Sequence, residues 1–121
     1  MLTVSLQGGT LIFSRGDETV LRVAPQPQEN AMVLQLSGQV LSDTAYPLQD
    51  ELESYLSLDI PIRLDCSQVT FLSASAQEML LNVQKLSEDS GRGELKLCSV
   101  PDSVYMELER NNMTEHLYIE M

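Results

Sequence analysis

The sequence is poor in the residues that hold metals. One histidine, His116, and two cysteines, Cys66 and Cys98, are spread over 121 residues with no CxxC or HxxxH spacing, which excludes the familiar zinc-site patterns. Basic residues are scarce too: 7 Lys and Arg against 18 Asp and Glu leave a formal net charge of -11. No basic patch is present to neutralise phosphates, so a protein is the expected partner, rather than nucleic acid or an anionic membrane surface. No apolar run is long enough to span a bilayer, so no membrane insertion is expected, and no signal-peptide pattern opens the chain. These absences point to a cytoplasmic location with reduced thiols. Both cysteines lie in apolar stretches that read as strands, where a thiol packs as a small hydrophobe. No motif implies a cofactor.

What is present is an ordinary globular balance, with 43% hydrophobic and 21% charged residues, and a length that fits one domain with a single core. The first two dozen residues alternate short β-prone runs with turns: "MLTVSL", Gly8-Gly9, "TLIF", "SRGDE" and "TVLRV". Gly16-Asp17 between two such runs is a hairpin signal, although its register is not readable. The two prolines of "APQPQEN" predict a loop.

From Met32 onward strands alternate with helices. "MVLQLSG" predicts a strand ending at Gly38, and "SDTAYPLQDELESYLSL" a helix capped by Asp43 or Thr44. Its Leu48, Leu52, Tyr55 and Leu56 share a face, and Pro47 is tolerable there only within the first turn. "IPIRLDCS" predicts a strand covered mainly on one side, with Pro61 at its start. "VTFLSASAQEMLLNVQKL" then passes from strand to helix through small residues, with Met79, Leu80, Val83 and Leu86 as the buried stripe. The glycines of "EDSGRG" end that helix. "ELKLCSV" predicts a strand, and Pro101 opens a helix that points Val104, Tyr105 and Leu108 inward and stops at Asn111-Asn112. "HLYIEM" predicts a last strand. The alternation implies an α/β fold with a mixed, largely parallel sheet and helices packed on it, preceded by an extra N-terminal β region. The expected division is a 32–121 domain extended by residues 1–24. That extension is able to add an edge hairpin, to form a homodimer, or to cover the sheet edge.

The runs "LSGQVLSDTA", "IRLDCSQVTFLSASAQEMLL" and "GRGELKLCSVPDSVYMELERNNM" resemble the STAS domain family, the anti-sigma-factor antagonists and their relatives. In that family a strand typically ends in Gly-Glu-Leu-Asp, and Gly38-Gln39-Val40-Leu41 stands in its place. The next strand typically reads Leu-Asp-Leu-Ser-x-Val-x-Phe-hydrophobic-Asp-Ser-Ser-Gly, and the matching run here is Leu64 to Ala76. The resemblance spans Met32 to Ile119 and implies a non-enzymatic regulator of transcription. Its partner would be a serine-kinase anti-sigma factor that phosphorylates the position matched by Ser75. Ser73, Ala74 and Ala76 depart from the family's Asp, Ser and Gly, and Leu41 from its acidic residue. These departures pull toward a second reading, a constitutive adapter in a larger assembly such as a lipid-transport ATPase complex or a stress-signalling particle.

The implied partner-binding edge comprises Gly38, Leu41, Ser42, Asp43, Ser73, Ala74, Ser75, Ala76 and Glu78. A phosphate on Ser75 would meet the positive end of a helix. The competing account of Ser75 is a capping box, with its hydroxyl accepting from the backbone of Glu78 and Glu78 reaching back. Asp43 and Asp65 have the same ambiguity between cap and binding edge. A serine nucleophile needs a nearby base, and the one histidine lies far along the chain in "EHLYIE", so no enzyme is expected.

Overall fold

A computed structural model describes residues 2–91 and 93–120. Met1, Arg92 and Met121, where parts of the first strand, the "EDSGRG" turn and the last strand are expected, lie outside the described residues. The elements are β1 (Leu2–Gln7), β2 (Thr10–Arg15), β3 (Glu18–Pro27), β4 (Met32–Val40), α1 (Ser42–Ser57), β5 (Ile62–Leu72), α2 (Ala74–Ser90), β6 (Leu95–Cys98), α3 (Asp102–Arg110) and β7 (Ile119–Glu120). Among the described residues they form one seven-stranded sheet in sequence order, antiparallel from β1 to β4 and parallel from β4 to β7.

That order dictates where the helices go. Each parallel crossover steps to the next strand in the same direction, and right-handed crossovers then place all three helices on one face. Burial agrees. Leu34, Leu36, Ile62, Leu64, Leu95 and Leu97 are buried on the helix side. Their alternates Gln35, Arg63, Asp65 and Lys96 remain half-exposed on the open side. Phe13, Leu21 and Val23 extend the same core into the N-terminal strands.

Several expectations are corrected by tertiary pairing. The "APQPQEN" loop shrinks to its last residues, because β3 continues through Pro27, with Pro25 opposite Leu34 and Pro27 opposite Met32. Beyond Val23, β3 no longer has β2 beside it, so prolines without an N–H fall where one side of the strand is free. Strand β4 does not stop at Gly38 but runs to Val40, passing through a register shift at Gly38-Gln39. Pro47 lies in the second turn of α1, not the first, so the Asp43 carbonyl loses its intrahelical donor.

Leu86 is half-exposed, and the buried stripe of α2 is instead Ala76, Met79, Leu80, Val83 and Ser87, joined by Gln77 and Gln84. Both glutamines are satisfied by distant backbone or side chains. Gln84 accepts from the Tyr118 amide at 2.8 Å and donates to the His116 carbonyl. Among the described residues the expected strand 116–121 covers only Ile119–Glu120, because the His116 and Leu117 amides bond back to the Met113 carbonyl in a turn and the Tyr118 amide goes to Gln84, while the Tyr118 carbonyl already accepts from Leu97 of β6 at 2.9 Å. Strand β6 is likewise shorter than "ELKLCSV", ending at Cys98, and Ser99 turns the chain at φ 55°. Cys66 is buried in the core, whereas Cys98 is half-exposed on the open face beside Glu120 and is not core packing.

Candidate functional site

Parallel strands deliver the helices that follow them to the same end of the sheet. Val40 and Leu72, the last residues of β4 and β5, are partners in register, and the Ser73 amide donates to the Val40 carbonyl at 2.9 Å. The N-cap residues Leu41 and Ser73 are thereby neighbours, and α1 and α2 start side by side.

The two helix starts are closed in different ways. Ser73 has extended backbone and its Oγ accepts from the Ala76 amide at 3.1 Å, so Ser73 caps α2. This corrects the capping box expected at Ser75, which is the second residue of the helix and exposed. The register is set by the Ser73–Val40 bond, which brings the chain off the sheet two residues earlier than the Ser-x-x-Glu spacing suggests. Gln77 holds the turn from below, donating to the Leu72 carbonyl at 3.1 Å and accepting from Asn111 at 3.0 Å. At α1 neither Asp43 nor Thr44 is the N-cap residue. Thr44 closes the turn from inside it, its Oγ1 accepting from the Leu41 amide at 2.8 Å.

Asp43 has another partner, Arg15 at the end of β2. The Arg15 hydrogen bond holds the Asp43 carboxyl below the usual carboxylate range, against a smaller opposing effect of burial. The same contact raises Arg15. Asp65 is occupied locally, accepting from the Ser67 amide at 3.0 Å where β5 bulges.

Of the expected edge residues, Ser42, Ser75 and Glu78 come together. They line a shallow groove of about 230 Å³ between α1 and α2, with Tyr46, Met79 and Asn82. Leu41, Asp43 and Ser73 are half-buried and do not line it, and Ala74 is exposed. Ala76 is fully buried and belongs to the core. Gly38 lies apart, lining a second depression with Arg15, Val20 and Thr70. Two aromatic residues were not expected here: Tyr46, 75% exposed, and Phe71, 45% exposed, just before Ser73. Tyr46 is legible in retrospect, because it falls outside the Leu48–Leu52–Leu56 stripe with no core position to fill. The first turn of α2 carries no acidic residue, so the positive end of its dipole is uncompensated by side chains there. His116 sits in the turn before β7, where its carbonyl meets Gln84, nine residues down α2 from Ser75 or about 14 Å of helix.

The family model of the Mlab STAS domain matches residues 23–118, and the chain belongs to that family. No curated protein matches the sequence significantly. Among solved structures, an anti-sigma factor antagonist from Mycobacterium paratuberculosis superposes with a TM-score of 0.70 at 14% identity, covering 88% of each chain. RsbS of Moorella thermoacetica, in a variant form, gives 0.64 at 14% identity, over 82% of this chain and 86% of its own. The phosphorylated form of the Bacillus cell-fate determinant SpoIIAA gives 0.61 at 9% identity, over 82% and 91%. At such identities these likenesses establish the fold. The N-terminal strands β1 and β2 lie outside the stretch that the family model matches.

Proposed function

We propose that this chain is a non-enzymatic regulatory subunit that docks a protein partner on the paired N termini of α1 and α2, with Ser75 as the residue whose phosphorylation ends the contact. The partner is a serine-kinase anti-sigma factor, and docking releases the sigma factor that it holds. One observation carries this reading: Ser73 does the capping, so Ser75 has no structural task in the helix start and presents its hydroxyl to solvent. A phosphate there adds about two negative charges next to free first-turn amides and beside the Tyr46 groove, which alters what that groove accepts.

A second reading draws on a separate observation. The matching family model is that of the Mlab STAS domain, and Ser73, Ala74 and Ala76 replace the Asp, Ser and Gly of the phosphorylatable pattern. In that reading the same edge docks a subunit of a larger assembly, such as a lipid-transport ATPase, with no switch.

Capture from native lysate with wild-type, Ser75→Ala and Ser75→Asp chains, with partners identified by mass, separates the two. The switch predicts a kinase-like partner on the first two baits and its loss from Ser75→Asp. Recovery of the same transport-type partner by all three baits contradicts the switch and supports the adapter.

A further inference from the structure

The sheet has two edges among the described residues, and they differ in kind. Strand β7 offers two paired residues, with Glu120 bonded to Arg63 at 2.7 Å. Strand β1 offers six, Leu2–Gln7, without a charge or a proline, in a chain carrying 18 acidic and 7 basic residues. Short length, charge and proline are the usual means of keeping an edge from pairing, and β1 has none of them. Its hairpin is firmly set, because Gly8 and Gly9 take positive φ in a two-residue turn and register runs unbroken from Gln7–Thr10 to Leu2–Arg15.

The side chains of β1 are sorted by face. Leu6 opposes Leu11, which opposes Val23, and Val4 opposes Phe13, which opposes Leu21. Leu2, Val4 and Leu6 therefore continue the buried rows on the helix side, while Thr3, Ser5 and Gln7 point to the open side. The helices stop short of them. Phe13 is fully buried, yet Val4 is 49% and Leu6 68% exposed.

We infer that β1 pairs with β1 of a second copy of this chain, antiparallel about a twofold axis at Val4, joining two sheets into one. The Leu2-Thr3-Val4-Ser5-Leu6 pattern is palindromic in character. With Val4 opposite Val4 of the copy, Leu2 meets Leu6, Thr3 meets Ser5, and all apolar side chains stay on one face. Charge selects this contact. Two chains of net charge -11 repel over most of their surfaces, and β1 is an edge where neither brings a charge to the seam. Pairing of β1 with β7 of a copy would instead set this neutral strand against two residues flanked by an ion pair. The pairing is independent of the reading of Ser75. Strand β1 lies three strands from β4, about 14 Å across the sheet, so a dimer keeps both docking edges free.

Sedimentation equilibrium on the full chain over a concentration series tests this. The expected mass is twice 13.5 kDa, falling to once that value for Val4→Lys/Leu6→Lys, with unchanged circular dichroism because both positions are exposed. Gln28→Lys, at an exposed turn position, keeps the dimer. Mild oxidation of Val4→Cys then links two copies covalently through that position. A monomer at every concentration, a dimer that survives the double substitution, or a dimer that Val4→Cys fails to cross-link would overturn the inference. So would a monomer whose β1 is occupied by another protein's strand.

Discussion

Gly38 lies against the carbonyl of Val20, so close that a Cβ there would overlap the oxygen. Val20 is the extra residue of the register shift between β2 and β3, and Gly38 sits at φ 115° where β4 shifts register against β5. Two irregularities on adjacent strands thus fit into each other, and this contact joins the N-terminal hairpin to the strand that delivers α1.

Gly38→Ala meets both a backbone clash and an unfavourable φ, and is expected to cost about 2–4 kcal/mol. Urea unfolding followed by circular dichroism reads this as a lowered midpoint with an unchanged slope. A loss of only a few tenths would mean that the bulge relaxes readily.

The capping assignment makes a paired prediction. Ser73→Ala removes the bond to the Ala76 amide and is expected to cost about 1 kcal/mol, whereas Ser75→Ala stays within about 0.5 kcal/mol. Equilibrium unfolding of the two variants side by side checks it, and the reverse order would return the cap to Ser75.

The two cysteines should be distinguishable by reactivity. Burial pushes the Cys66 thiol up to about 12, so it stays protonated and inaccessible, while Cys98 is half-exposed. A thiol reagent at about pH 8 is expected to label one cysteine promptly and the second only on unfolding. Prompt labelling of both would contradict the placement of Cys66.

The Arg15–Asp43 pair gives an acid-side signature. The folded carboxyl lies below its ordinary value of 3.8, so the pair's contribution is present above that value and is lost as pH falls through the lower, folded one. Asp43→Asn is expected to lower the urea midpoint slightly near neutrality, where the pair contributes, and to converge with the wild type below about pH 4, so that its acid limb is flatter; the difference is small because both side chains are more than a third exposed. An unchanged acid limb would show that other carboxylates carry it.

The parallel half of the fold was legible because its signals are local. Leu48, Leu52 and Leu56 repeat at helical spacing, and Ile62, Leu64 and Cys66 alternate as strand residues. What was not legible depends on partners distant in sequence. The prolines of β3 are tolerated only because β2 has ended beside them. The last strand starts late because His116 and Leu117 are held in a turn on Met113 and Gln84 takes the Tyr118 amide. Of the residues expected at the proposed docking edge, Ser42, Ser75 and Glu78 line one groove. The shift of the cap to Ser73 follows from a bond to Val40 that no local pattern announces, whereas the exposure of Tyr46 is readable from its place outside the Leu48–Leu52–Leu56 stripe.

The central claim is that a partner covers the paired N termini of α1 and α2. Hydrogen exchange of the chain, alone and in complex with the captured partner, tests it most directly. The account predicts slowed exchange concentrated in residues 41–46 and 73–79, with β1 and α3 unchanged. Protection confined to α3, β7 or the open face of the sheet, with those two segments exchanging as in the free chain, would contradict it.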